Sequence, residues 1–143
     1  MSVVVVDASV GLKWLTLFAK EQLVDRAKAL LDRKTAGEIS LIVPDLFWLE
    51  ISSALCKMVR RNKCTVEESL RSLEEMQQLP LQTLPSIELI YFAQQVAIQY
   101  GRSVYDSLYL ALARTSRSQL ITADERLANA VATYLPVKWL GAI

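Results

Sequence analysis

Histidine is absent from all 143 residues. That removes Ser-His-Asp triads, imidazole zinc sites and the usual general base of enzymes working near neutral pH. Cysteine is scarce, with Cys56 and Cys64 the two present. On one helix they would stand about 12 Å apart, too far for a disulfide, which tolerates a Cα separation of about 7 Å. They read as free thiols, buried or at the surface, in a reducing compartment, and without histidine they offer little as a metal site. Long apolar runs are missing as well. The longest uncharged stretch, over 89–101, has 13 residues, short of the roughly 17–25 that a membrane span needs. No basic segment leads an apolar stretch at the N-terminus, so no signal peptide is expected. The reading is a cytoplasmic protein with no membrane partner. Four Gly and four Pro exclude a collagen-like chain, and a net charge of +1 supplies no global basic field that would mark a nucleic-acid binder. What is present is apolar side chain, 52% of residues against 22% charged, enough for a substantial core.

No repeat, low-complexity tract or linker divides the chain, so one domain over 1–143 is expected. Four consecutive valines in 2–6 leave no polar alternation and predict a central strand buried on both faces. A short helix follows over 8–15, capped near Asp7 or Ser9. Residues 21–34 carry Leu23, Ala27, Leu30 and Leu31 at helical spacing, with a stop near Gly37. A short strand at 41–43 leads to Pro44 and Asp45, which open a long helix to about Asn62 with proline in an early position. Thr65-Val66-Glu67-Glu68 has the form of a capping box for the next helix. Pro80 suggests an edge strand over 79–84. Helices over 86–100 and 104–114, a strand at 119–122, a helix over 124–134 and a strand at 137–140 complete the pattern. Strands that alternate with helices imply an α/β fold, a mostly parallel sheet of about five strands with helices on both faces. Ligands of such sheets gather at the carboxyl ends of the strands.

Two carboxylates belong to that rim. Asp7 ends the first strand and Asp124 follows the strand that ends near Thr122. Asp106 lies in the first turn of its helix, and Glu50 lies early in the long helix. Each Asp has an alternative role as a helix cap, and Ser103-x-x-Asp106 has the spacing of a capping box. Glu50 has Leu46, Phe47, Ser53 and Ala54 as its helical neighbours, with no Lys or Arg to pair it. It either reaches solvent or meets a cation, because an unpaired carboxylate among apolar groups costs several kcal/mol. If the four converge, mutual repulsion raises their pKa values until a cation arrives. An all-oxygen donor set suits Mg²⁺ or Mn²⁺, and such ions activate water against a phosphodiester without histidine.

Four segments carry a resemblance to a known family. They are Val5-Val6-Asp7-Ala8-Ser9, Pro44-Asp45-Leu46-Phe47-Trp48-Leu49-Glu50-Ile51-Ser52-Ser53-Ala54-Leu55, Tyr105-Asp106-Ser107-Leu108-Tyr109-Leu110-Ala111-Leu112-Ala113 and Leu120-Ile121-Thr122-Ala123-Asp124-Glu125-Arg126-Leu127. In this order the chain resembles the PIN domains, specifically the small toxin nucleases of VapBC toxin–antitoxin pairs. The resemblance implies a PIN-like three-layer α/β/α sandwich. It implies catalytic and metal-binding roles for Asp7, Glu50, Asp106 and Asp124, with supporting hydrogen bonds from Ser9 and Thr122. It further implies a Mg²⁺- or Mn²⁺-dependent endoribonuclease, an RNA substrate, a homodimer, and a VapB-like antitoxin whose peptide occupies the active-site groove. Ser107 stands where many relatives have Ala, and Glu125 is an extra acid beside Asp124.

RNA needs positive charge around such a centre. Outside the four acids, sixteen basic residues face eleven acidic ones, a balance of +5. Lys13 and Arg102 are the preferred phosphate contacts. Lys57, Arg60, Arg61 and Lys63, like Arg114 and Arg117, also suit helix C-termini. Trp14, Phe47, Trp48 and Tyr105 either stack on bases or pack in the core or a dimer. A phosphatase of haloacid-dehalogenase type would want a second Asp where Ser9 stands. A receiver-like domain would want paired acids where the valines precede Asp7. A non-catalytic PIN-like interaction module is the remaining alternative, against which the four filled acidic positions weigh.

Overall fold

The valine run forms strand β1 (Ser2–Val6) in the computed structural model, which describes residues 2–143. The remaining strands are β2 (Ile39–Pro44), β3 (Gln82–Leu84), β4 (Gln119–Thr122) and β5 (Val137–Trp139). They make one sheet in the order β3-β2-β1-β4-β5, and every pairing is parallel. Among the described residues the α-helices are α1 (Ala8–Gly11), α2 (Val24–Thr35), α3 (Leu46–Arg60), α4 (Val66–Gln77), α5 (Ile90–Tyr100), α6 (Val104–Thr115) and α7 (Glu125–Val131). The result is the three-layer α/β/α sandwich with a central parallel sheet. Helix α6 crosses β1, β2 and β4, and α5 packs on α6. Val5, Val6, Val43, Leu110, Leu112 and Leu120 are fully enclosed, each contributing roughly 1.5–3 kcal/mol of burial.

The order of the strands places a ligand crevice. From β1 the chain moves outward to β2 and β3, and it returns on the other side of β1 to build β4 and β5. The direction of winding therefore reverses between β1 and β4, at whose carboxyl ends open α/β sheets bind ligands.

Several local expectations need correction. β1 is buried on both faces only at Val5 and Val6. Its partner β4 begins pairing at Val4, so Ser2 and Val3 extend beyond that neighbour into solvent. Pro44 does not open the long helix; it is the last residue of β2, opposite Leu84 of β3, and α3 begins at Leu46. The helix expected from residue 21 begins at Val24, because Leu23 adopts a left-handed conformation (φ 64°). The first helix is α-helical only to Gly11 and continues as a 3₁₀ turn over Leu12–Trp14. The cysteines do not share a helix, since α3 ends before Cys64, and both are free.

Two glycines do specific work. Gly101 closes α5 with φ 64°, the left-handed stop that favours glycine. Gly11 lets α1 seat against α3: a Cβ there would come within 2.6 Å of the Phe47 ring. That contact holds the segment after Asp7 against the helix that carries Glu50.

Candidate active site

Asp7 is the N-cap of α1 and is 8% exposed. Both of its oxygens are held by side-chain hydroxyls. Ser9 Oγ donates to Oδ1 at 2.5 Å and Thr122 Oγ1 donates to Oδ2 at 2.6 Å. The same hydroxyls tie the two strand ends together, since Ser9 Oγ accepts from the Ala123 amide and Thr122 Oγ1 accepts from the Asp124 amide. The parallel register sets this up: Val6 pairs with Ile121, so Asp7, the first residue past β1, stands beside Thr122, the last residue of β4. Burial pushes the Asp7 carboxyl up to about 6, against the lowering effect of Ser9 and Thr122, and the charge of Glu50 adds to the rise.

Glu50 lies in α3, half-buried. Its partner is neither solvent alone nor a cation. Tyr109 of α6 donates its hydroxyl to Glu50 Oε1 at 2.5 Å. Burial raises the Glu50 carboxyl, the Tyr109 bond opposes this, and the charge of Asp106 raises it further. Burial first, then the Glu50 charge, pushes the Tyr109 phenol far above its ordinary range, so it remains a hydrogen-bond donor.

Asp106 is half-buried in the first turn of α6. The Ser103 hydroxyl accepts from the Asp106 amide at 3.0 Å. The expected capping box is only half made: among the described residues the Asp106 carboxylate makes no hydrogen bond to the Ser103 amide, although the Ser103 hydroxyl beside it favours its charged form. Burial raises the Asp106 carboxyl, and the charge of Asp124 is the next cause. Asp124 is exposed and caps α7, with Oδ1 accepting from the Leu127 amide at 3.2 Å.

The four acids thus meet at one rim. Asp7 and Asp124 are linked through Thr122, and the raised carboxyls of Asp7, Glu50 and Asp106 register the charges of Glu50, Asp106 and Asp124 in turn. Among the described residues no three His, Cys, Asp or Glu side chains stand close enough together to hold an ion between them. An open, all-oxygen rim fits a hard cation that retains waters and takes one or two direct carboxylates. It does not fit a soft or tightly caged metal.

Tyr109 was missed in the sequence because its partner lies 59 positions away. The available signal was its place one turn after Asp106, on the same helical face. Other expectations fall away. Lys13 is 8% exposed and pairs with Glu21 at 3.1 Å, so it is no phosphate contact. Trp14 donates to the Ala27 carbonyl, and Phe47 is buried edge-on against Trp48 with ring centres 5.1 Å apart. Tyr105, 63% exposed, remains open to a ligand. It lines a groove of about 510 Å³ with Leu49, Ile90 and Leu108, next in sequence to Glu50 and Asp106. No helix of the described residues is long and apolar enough to cross a membrane.

A parallel sheet with acids at its switch point defines a class of α/β protein, and comparison with known families specifies it. The chain belongs to the PIN-domain family, whose profile matches residues 4–132. Its relatives there carry ribonuclease names. It is 30% identical over 127 residues to Ribonuclease VapC3 of Pyrobaculum aerophilum, covering 87% of this chain and 92% of that one. It is 33% identical over 129 residues to Ribonuclease VapC3 of Mycobacterium tuberculosis, covering 89% and 86%. The fold matches that of a chain in a toxin-antitoxin complex from Klebsiella pneumoniae with a TM-score of 0.65 at 17% identity, over 94% of this chain and 95% of that one.

Proposed function

We propose that this chain is a divalent-metal-dependent endoribonuclease and the toxin of a type II toxin–antitoxin pair. The observation that carries the reading is the placement of Asp7, Glu50, Asp106 and Asp124 at the sheet's switch point, with Asp7 and Asp124 joined through Thr122 and with Glu50 held by Tyr109 of the helix that carries Asp106. The ribonuclease names of the relatives support the substrate class. The whole chain, 1–143, acts as one catalytic unit.

Each acid has lone pairs to spare. Asp7 is oriented by Ser9 and Thr122; Oδ1 accepts from both Ser9 and the Val10 amide, while Oδ2 accepts from Thr122 and keeps acceptor capacity. Glu50 keeps Oε2 free of Tyr109, Asp106 is not tied back to the Ser103 amide, and Asp124 keeps Oδ2 beside its capping oxygen. These residues would hold Mg²⁺ or Mn²⁺. When bound, such an ion supplies positive charge that stabilises the phosphodiester transition state and makes an attacking water more acidic. The acids keep the phosphate from binding unless that charge is present, because like charges at one rim repel. The +5 balance outside the four acids attracts the RNA backbone. Arg102, whose charge bears on Asp106, is the nearest basic candidate to meet it. A homodimer, a cytoplasmic setting and a VapB-like antitoxin complete the proposal, the last of them supported by the toxin-antitoxin complex to which the Klebsiella neighbour belongs.

Purified chain freed of antitoxin is expected to cleave RNA with Mg²⁺ or Mn²⁺ and to stop when chelator is added. Asp7→Asn is expected to fold but not to cut RNA. Cleavage by Asp7→Asn at the wild-type rate, or undiminished cleavage in chelator, overturns the reading.

A further inference from the structure

Tyr109 is 2% exposed, and its ring lies in the core beneath the acidic rim. A phenylalanine would fill the same volume without carrying a hydroxyl out of water, which costs free energy unless the hydroxyl is paired. The pairing here is specific: the hydroxyl meets Glu50 Oε1 at 2.5 Å and bridges α6 to α3. Tyr109 also stands one turn after Asp106, so the helix that presents Asp106 also fixes the glutamate facing it. Among the described residues Glu50 has no other side-chain hydrogen-bond donor and no ion pair. With Oε1 engaged, Oε2 is the oxygen left for a ligand, and a long flexible side chain is reduced to one pose.

We propose that Tyr109 is a positioning residue that aims the Glu50 carboxylate at the ion-binding rim, so that α3 and α6 deliver their acids as a unit. This rests on the metal-nuclease reading above and adds a residue outside the acid set. Partners that orient a metal-ligating carboxylate act by preorganisation, and losing one weakens metal binding about tenfold or more.

The test is calorimetric titration of Mn²⁺ into the metal-free protein, with no RNA and no turnover. Tyr109→Phe keeps the ring and is expected to bind Mn²⁺ about tenfold more weakly than wild type. In a Glu50→Ala background the same change is expected to do nothing further. Glu50→Asp, with Tyr109 intact but the carboxylate drawn back from the phenol, is expected to lose a similar factor. Wild-type affinity in Tyr109→Phe or in Glu50→Asp overturns the positioning role. So does an equal loss from Tyr109→Phe with and without Glu50, which would show that the hydroxyl acts elsewhere. If Glu50→Ala binds Mn²⁺ as wild type does, both the positioning role and the place of Glu50 in the metal set fall. If Glu50→Ala is weak and Tyr109→Phe is not, the metal-nuclease reading stands and only the positioning role fails.

Discussion

Two helices of this chain begin with the same four-residue pattern and use it differently. At α4, Thr65 and Glu68 close a full capping box: the hydroxyl accepts from the Glu68 amide and the carboxylate accepts from the Thr65 amide. That bond holds the Glu68 carboxyl below its ordinary range. At α6, Ser103 accepts from the Asp106 amide, but the carboxylate does not return the bond, and burial holds it above its ordinary range. Glutamate is long enough to fold back over the helix end, whereas aspartate is one methylene shorter. One acid is consumed by local structure and the other is left over, directed at a rim where Asp124 already repels it. An acid whose capping role is incomplete, and whose environment disfavours its charge, is the kind that a functional site recruits.

The contrast is sharpest in activity. Asp106→Asn is expected to lower RNA cleavage at least about a thousandfold, given the several kcal/mol that metal charge contributes to such a transition state. Glu68→Gln is expected to leave the rate unchanged. A comparable loss from both variants in a fluorogenic RNA assay would erase the distinction.

Stability against pH gives a second separation, with opposite signs at the two regions. The Asp7 carboxyl is raised from 3.8 to about 6 in the folded protein, so its favourable contribution is full below about 4 and is lost as pH rises through 6. That amounts to about 3 kcal/mol for the metal-free protein. Glu50 and Asp106, also raised, act in the same direction. Glu68, lowered, contributes stability above its ordinary 4.5 that is lost as pH falls. Thermal unfolding of metal-free protein between pH 4 and 7 should therefore show declining stability, and Asp7→Asn should flatten the slope. An unchanged slope in that variant would remove Asp7 as its source. The smallest effect belongs to the cap itself: Thr65→Ala should cost about 1 kcal/mol of stability, read by denaturant unfolding, with cleavage intact.

Much of this was legible from residue order, because the signals are local. The valine run, the caps at Thr65 and Ser103 and the stop at Gly101 each depend on a few neighbours, and each falls where expected. The alternation of strands and helices also implied a carboxyl-end rim, and hence where Asp7 and Asp124 would meet. What escaped depends on distant partners. Glu50 looked unpaired because only its helical neighbours were visible, while Tyr109 arrives from another helix. Lys13 looked free because Glu21 reaches it only after the chain turns through 3₁₀ segments. Pro44 suits the first turn of a helix in general, yet here it closes β2, paired with Leu84, 40 positions further along the chain.

The central claim is that four separated acids form one anionic rim that a divalent ion neutralises. The most direct measurement is the anomalous scattering of Mn²⁺ in crystals of the metal-soaked protein. The account predicts a peak in contact with carboxylate oxygens from this set, Asp7 among them, that vanishes in Asp7→Asn crystals. Saturating Mn²⁺ with no peak at the carboxyl ends of β1 and β4, or with a peak that survives in Asp7→Asn, would contradict it.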